Sequence, residues 1–501
     1  MKIAKLIFIL IFILLFAASL FAQEIAKETE SLFMAKKAYE DGFYEVSLGM
    51  LERFGNIFPD SNQAAEARLL TGQCYFFQGR YSEALNIFES LLKDSAASNL
   101  KDAIYFWIAE VHFKGNNFDK AAAFYELVIK DFPQSSFLPQ AYYSLGWSFS
   151  QLAKYAQALK SFSSLEEKFP GEPQSKDAAF KIIECLYNLK GYAELKNRIS
   201  PYFKLLANDA LRLPYLYFYL AESEYYLNNL EGAAGNYLLS AQVAKDDRVQ
   251  ALANLGLAWS YLKLKKYKEA EDIFLDIKQS NLDKKSVDIW LLGRGLLLSG
   301  ENRVYESKKI YEQLIGLSND PLVLLQAYLG LADALYNLAE YAEAAKIYKE
   351  GLDKIGKNSL PLELVAKLRY NLGLAYIKEG KLKLAIDELN SVATDSKDAE
   401  IKVSALLEIG NAYQDSLEFA KAEEMYLSIL KNYSASAYSD YVQYQLGLAQ
   451  LKKPDLRGAI ASFKLILKKY AQSKFLDDAV YALGSAYFQQ QDYLSSGDMF
   501  A

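Results

Sequence analysis

Side chains able to make or break bonds are few in this chain of 501 residues: one histidine, His112, and two cysteines, Cys74 and Cys185. A single imidazole cannot supply a multi-histidine metal site. His112 takes the place that Tyr75, Tyr261, Tyr376, Tyr413 and Tyr487 hold in a pattern recurring along the chain, which predicts helix packing rather than catalysis. Cys74 and Cys185 fall at equivalent places three periods apart. Helix axes pack about 8–10 Å apart, so three periods separate the thiols by more than roughly 24 Å, against a limit of about 7 Å for a disulfide. Two separate, buried thiols are expected. The adjacent carboxylates Glu166-Glu167 and Glu423-Glu424 point about 100° apart on a helix and read as solvated faces, not as acid–base pairs. Residues 351–358 come within one residue of the phosphate-binding loop G-x4-G-K-[ST], but such a loop follows a strand and opens a helix. Here a helical stretch from Tyr341 to Leu352 ends, Gly356 suits a left-handed cap, and Asn358 replaces the hydroxyl that would hold magnesium. These residues predict no enzyme, no cofactor and no metal centre.

What positions the aromatics, 38 tyrosines and 29 phenylalanines, is a repeat. A small residue recurs at Ser47, Ala84, Ala121, Ala158, Ala233, Ala270, Ser307, Ala344, Ala385, Ala422, Ala459 and Ser496, with Leu195 completing the series. The steps are 37 residues, apart from 38 before Ala233 and 41 before Ala385. Twelve residues before each anchor stands Gly or Ala, as at Gly72, Ala109, Gly146 and Gly484, with Ile183 the exception. Four residues after it comes a large ring or aliphatic, including Phe88, Tyr125, Phe162, Tyr237, Phe274, Tyr311, Tyr348, Tyr426 and Phe463. Small residues on two antiparallel helices let the axes approach, and the large residue one turn later fills the groove between neighbouring pairs. One hairpin cannot bury its apolar positions alone, so the hairpins must stack.

This pattern resembles the tetratricopeptide repeat (TPR), whose W-x2-L-G-x2-Y…A-x3-F…P signature is matched by Leu145-Gly146…Phe149…Ala158…Phe162…Pro170 and by Leu483-Gly484…Tyr487. The resemblance covers about residues 28–501 and implies an all-α, right-handed superhelical solenoid of about thirteen antiparallel hairpins. A period of 37 instead of the usual 34 calls for longer helices or longer connections. The expected organisation is a signal segment at 1–22, TPR units over 23–175, an irregular unit at 176–213, then units over 214–365 and 366–501. The irregular unit has Ile183 and Leu195 at both small positions and contains Pro201, so its helices should sit further apart; four extra residues between Lys354 and Pro361 mark a second irregularity. Ten prolines and no Gly/Ser-rich tract argue for one continuous architecture.

Lys2 and Lys5, the apolar run Leu6 to Ala18, and Ser19-Leu20-Phe21-Ala22 follow the order of a secretory signal, with cleavage after Ala22 or, since Leu20 fits the cleavage rule poorly, an uncleaved anchor. Either way the remainder is exported, to the periplasm or envelope of a bacterium. Removing residues 1–22 takes two lysines and no acid from the chain, so the net charge of −6 becomes −8. A mildly acidic surface gives no reason to expect nucleic acid, and membrane contact is expected only through a partner or the uncleaved segment.

In TPR proteins the second, fifth, ninth and twelfth residues of each first helix line the concave surface. Carried onto this chain, those places hold Phe76, Phe106, Glu110, Phe113, Tyr143, Trp147, Phe180, Glu184, Tyr187, Phe218, Glu222 and Tyr225. Rings separated by acids suit a groove for an extended peptide or apolar helix, although any one ring could equally pack against the next repeat. The carboxylate clamp of chaperone-tail-binding TPR proteins needs Lys and Asn at the fifth and ninth places; only Asn411 matches, so that specificity is not expected.

Connections such as Phe58-Pro59-Asp60-Ser61, Phe132-Pro133-Gln134-Ser135, Phe169-Pro170-Gly171, Tyr433-Ser434-Ala435-Ser436 and Tyr470-Ala471-Gln472-Ser473 resemble the [YF]-P-x-S link of bacterial exported TPR proteins. Two such families are the BamD-like outer-membrane assembly lipoproteins and the YbgF/CpoB-like Tol-Pal coordinators of cell division. The resemblance implies a non-catalytic envelope scaffold that binds protein or peptide partners. The alternative is the helical, substrate-positioning region of a cell-wall-active enzyme, similar to the superhelical part of lytic transglycosylases, whose catalytic domain lies outside this chain. The last hairpin is expected to be incomplete at Ala501, with either a longer natural chain or a partner covering Met499 and Phe500.

Overall fold

The computed structural model describes residues 26–354 and 361–501. Residues 1–22, read as a signal segment, and Gly356, Lys357 and Asn358 of the phosphate-loop look-alike lie outside the described residues, as does most of the second irregularity. The chain divides into two compact units between Lys245 and Asp246, where the uniform repeat had suggested one continuous body. Each unit is all-α: among the described residues helices follow one another in antiparallel hairpins, as in Leu138–Gln151 with Tyr155–Lys168, or Ala399–Asp415 with Phe419–Asn432.

The 37-residue period is met in two ways, chosen by the connection. Where an aromatic-Pro-x-Ser type link follows, six residues separate the hairpins and the next first helix has 14 residues, as in Ala64–Phe77 and Leu138–Gln151. Where aspartate comes three residues after the preceding helix, it caps a first helix of 17 residues instead. Asp320 accepts from the backbone N–H of Leu322 and Val323 at 2.9 and 3.1 Å, and Asp398 from Glu400 and Ile401 at 2.8 and 3.3 Å. Capping satisfies N–H groups that the helix itself leaves unpaired. The serine of the longer link ties the two ends of its own hairpin: Ser135 donates to Asp102 and Ser473 to Asp440, each at 2.7 Å.

Within a hairpin the small anchor faces the small residue twelve places earlier. At two of the serine anchors this is visible as a hydrogen bond, Ser47 Oγ donating to the Ala35 carbonyl at 2.8 Å and Ser496 Oγ to that of Gly484 at 3.0 Å. The ring one turn on closes against the same helix: a Cβ on Gly146 would come within 2.6 Å of the Phe162 ring, and one on Gly447 within 2.5 Å of Phe463. Tyr311 lies against both Gly295 of its own hairpin and Gly330 of the next, so the ring also joins neighbours. Phe88, Tyr125, Phe162 and Phe463 are wholly buried. His112 stacks on Phe124 with ring centroids 5.9 Å apart, as the packing assignment expects, and both cysteines are free and buried.

One expectation needs correction, and the irregular hairpin adds a feature of its own. It keeps Ile183 and Leu195 fully buried, and its second helix is interrupted into Tyr192–Arg198 and Ser200–Leu205. Pro201 cannot donate to the helical ladder and clashes with the preceding turn, which breaks the helix there. The carboxylate pairs are not purely solvated: Glu166 accepts from Arg198 at 2.8 Å and Tyr202 at 2.7 Å, and Glu423 from Gln450 and Lys453 at 3.0 and 2.7 Å, while Glu167 and Glu424 face water.

The turn inside each hairpin uses one left-handed residue five places before the anchor, a glycine at Gly79 but a side-chain-bearing residue at Asn116, Ala153, Lys265 and Leu417. The chain then folds back with the N–H of the next residue on the carbonyl five before it, Glu418 on Tyr413 at 2.8 Å. Leu417 holds φ +62° with 74 % of its surface exposed, so it bears the cost of that conformation without packing in return. Leu417→Gly should therefore raise stability by about 1 kcal/mol, read as a higher denaturation midpoint at unchanged helicity. Ala158→Leu, at a fully buried crossing, should cost about 1–3 kcal/mol by overpacking; an unchanged melting curve would contradict the hairpin register.

Candidate protein-binding surface

The twelve places carried over from the resemblance separate into three groups. Phe76, Phe106 and Phe180 are only 6, 6 and 7 % exposed and belong to the core instead of lining a groove. Phe106 stacks on Phe137 at 4.7 Å, Phe76 meets Trp107 edge-on at 5.2 Å, and Phe180 packs on Tyr215 and Tyr219 under the Arg212 guanidinium. Their rings are needed between successive first helices, where close packing leaves no solvent-facing side.

Glu110 and Glu222 form the second group, as half-buried hydrogen-bond acceptors. Tyr125 Oη donates to Glu110 at 2.6 Å and Ser144 Oγ to the same oxygen at 3.2 Å. Glu222 accepts from Tyr237 on one oxygen and from Tyr187 at 3.3 Å on the other. The donor is the ring that closes the hairpin, fifteen residues after the acceptor. Tyr348 on Asp333 at 2.5 Å and Tyr426 on Asn411 at 2.8 Å repeat the arrangement. Hairpins closed by phenylalanine carry other residues at the acceptor place: Gln73 with Phe88, Trp147 with Phe162, Trp259 with Phe274, Leu448 with Phe463. A buried phenol needs a partner and a phenyl ring does not. Tyr311 is the exception, with Leu296 at that place and its hydroxyl 3.4 Å from that of Ser299. The signal was present in the sequence as Tyr against Phe, but the acids were read there as facing a groove.

The third group is brought together on the first helices Leu138–Gln151, Pro173–Asn188 and Leu213–Tyr226: Tyr143, Trp147, Glu184, Tyr187, Phe218 and Tyr225, all partly exposed. Phe113, also partly exposed, instead contacts Phe118 within its own hairpin. Lys181, which the sequence reading missed, places its ammonium 4.4 Å over the Trp147 ring and 2.6 Å from Glu184. Tyr187 packs on Tyr219 at 4.9 Å and on Phe218 at 6.5 Å; Tyr225 meets Tyr226, which stacks at 4.5 Å on Tyr192. Burial pushes the phenols of Tyr192 and Tyr225 up to about 12, so all remain neutral donors at physiological pH. The result is a strip of ring faces and edges with one cation paired to one carboxylate. Such a strip gives contact area and register, with no nucleophile beside a base. Among the described residues no group of three His, Cys, Asp or Glu side chains could hold a metal ion, and no helix is long and apolar enough to cross a membrane.

Burial raises the Glu222 carboxyl above the ordinary glutamate range, a shift that the hydrogen bonds from Tyr237 and Tyr187 only partly offset. The folded state then holds this proton to higher pH than the unfolded chain. Its contribution is fully present below the unfolded value of about 4.3 and is lost as pH rises through the folded one. Glu222→Gln, neutral at every pH, should therefore gain stability relative to the parent over the interval that opens as pH rises above about 4.3, read in paired urea titrations. A relative loss over that interval would mean that Glu222 is held as the anion.

Tetratricopeptide-repeat family models match residues 72–136 and 329–400, and a second such model matches 140–171. Among solved structures, that of Naa15/Naa10 bound to HypK-THB aligns with 94 % of this chain and 75 % of its own, at 15 % identity and TM-score 0.39. A tetratricopeptide repeat protein from Parabacteroides merdae ATCC 43184 aligns with 54 % of this chain and 97 % of its own, at 16 % identity and TM-score 0.40. No curated protein matches the chain. The matched segments are built from the hairpins described above, so the chain contains tetratricopeptide repeats, a repeat type associated with protein-binding scaffolds.

Proposed function

We propose that this protein is an exported, non-catalytic scaffold that holds protein partners of the bacterial cell envelope on the aromatic strip of its fourth to sixth hairpins. The observation that carries the binding site is the continuity of partly exposed rings from Trp147 through Tyr187 to Tyr225, interrupted by the Lys181–Glu184 pair at 2.6 Å. Exposed rings on rigid helices present a surface whose ordering cost has been met on folding, which favours an extended peptide or one apolar helix face. Export is supported by the basic, apolar and small-residue order of residues 2–22. A role in outer-membrane assembly or in coordinating envelope constriction is supported by the aromatic-Pro-x-Ser links alone. The ties of Ser135 to Asp102 and Ser473 to Asp440 give those links a structural purpose as well.

In-cell cross-linking followed by mass spectrometry identifies the partner, and fractionation tests the compartment: recovery only from the cytoplasm would refute export. Replacing Tyr143, Trp147 and Tyr187 together by alanine should weaken binding of a cross-linked partner at least tenfold while helical circular dichroism stays largely intact. Retained affinity at intact helicity would move the binding surface elsewhere.

A further inference from the structure

The second compact unit contains an acid whose hydrogen bonding is unfinished. Asp333, on the helix Pro321–Asn337, accepts from Tyr348 at 2.5 Å and from Asn371 Nδ2 at 2.9 Å, both on Oδ1. Among the described residues Oδ2 has no hydrogen-bond or ion-pair partner. Of its counterparts, Glu222 is engaged on both oxygens and Asn411 carries no charge, while Glu110 likewise accepts twice on one oxygen; what sets Asp333 apart is the pair of recesses beside it. Two recesses adjoin this carboxylate and share Asp333 and Asn337 as walls. One, about 240 Å³, is lined also by Tyr336, Asn371 and Leu374; the other, about 350 Å³, has Leu296, Val304, Leu329 and Leu364 among its walls. Lys367 lines the second recess and its charge acts on Asp333, yet it forms no ion pair with it among the described residues.

We infer that these recesses bind a cationic side chain, an ammonium or guanidinium on an aliphatic stem, with the charge at Asp333 Oδ2 and the stem along Leu329 and Leu364. The charged acceptor is the Asp333 carboxylate, and Asn337 and Tyr336, which can accept from or stack on a cation, are among the walls beside it. Apolar walls beside a carboxylate match a side chain that is hydrocarbon along its length and charged at its tip. An anion fits poorly: the Asp333 carboxylate repels it, and one Asn371 N–H is already held by that carboxylate. Burial, the largest influence on Asp333, raises its pKa despite the bonds from Tyr348 and Asn371 and the nearby charge of Lys367. The site is separate from the aromatic strip and rests on the scaffold reading only in taking its natural ligand from a protein.

The test is a saturation-transfer titration of the full chain with acetyl-Gly-Gly-Arg-Gly-Gly-amide, with the same peptide carrying citrulline, and with free arginine. The arginine peptide should bind at least tenfold more tightly than its neutral citrulline counterpart. Asp333→Asn, which retains the oxygen that accepts from Tyr348 and Asn371, should lose that preference, whereas Lys367→Gln should strengthen binding about two- to threefold by removing a like charge. Binding of the peptide but not free arginine identifies a protein side chain as the ligand; equal binding of both identifies a small cation. Equal affinity for the arginine and citrulline peptides, or an unaffected Asp333→Asn at native helicity, overturns the inference. The Tyr143, Trp147 and Tyr187 triple variant should bind the arginine peptide unchanged, so this outcome and that of the strip are read independently.

Discussion

The contact on which the rest of the structure depends is a ring, or in a few hairpins a leucine or isoleucine, pressed against a residue with almost no side chain. Phe162 on Gly146 and Phe463 on Gly447 leave no room for even one added carbon, and Tyr311 bridges Gly295 and Gly330. Each closing residue unites the two helices of its hairpin, and the Tyr311 case shows how the same ring reaches the next. In a repeat architecture, stability is close to a sum of such nearest-neighbour terms, which explains why the chain tolerates one irregular hairpin with a broken helix. Ile183 and Leu195 remain buried there, so the departure from small residues is absorbed locally.

The choice of closing ring reaches outward to the surface. A tyrosine brings a hydroxyl into a dry interior and requires an acceptor fifteen residues earlier, which Glu110, Glu222, Asp333 and Asn411 supply. A phenylalanine makes no such demand. Because Phe162 closes the fourth hairpin, position 147 is free to carry tryptophan, and Lys181 of the next hairpin then lies over its face. The candidate surface thus begins where an internal polar pair is dispensed with. Glu222 is held at both oxygens because Tyr187 reaches its second one, while at Asp333 both donors share Oδ1.

For the candidate surface, the sequence was informative about residue type and weaker about direction. Tyr143, Trp147, Glu184, Tyr187, Phe218 and Tyr225 keep part of their surface exposed, whereas Phe76, Phe106 and Phe180 are buried at positions that the repeat makes equivalent to others in the set. Equivalent positions differ because neighbouring side chains decide whether a ring is covered: Phe137 covers Phe106, and Tyr215 and Tyr219 cover Phe180. Lys181 was missed since a lysine at a first-helix place has no meaning until the tryptophan beneath it is located in space.

From the sequence alone, the helical hairpin, its register and the separate, buried state of Cys74 and Cys185 could be read, because small and large residues at fixed intervals express local geometry that every period repeats. The aromatic-Pro-x-Ser links were legible too, whereas the aspartate caps of the 17-residue helices emerged only from the structure. Tertiary structure alone decided that the chain divides between Lys245 and Asp246, that Glu166 is bridged to Arg198 and Tyr202, and that Asp333 has an oxygen to spare. These depend on which side chains of different hairpins come within about 3 Å of one another, and such distances are set by the summed packing of whole helices, which no interval along the chain records.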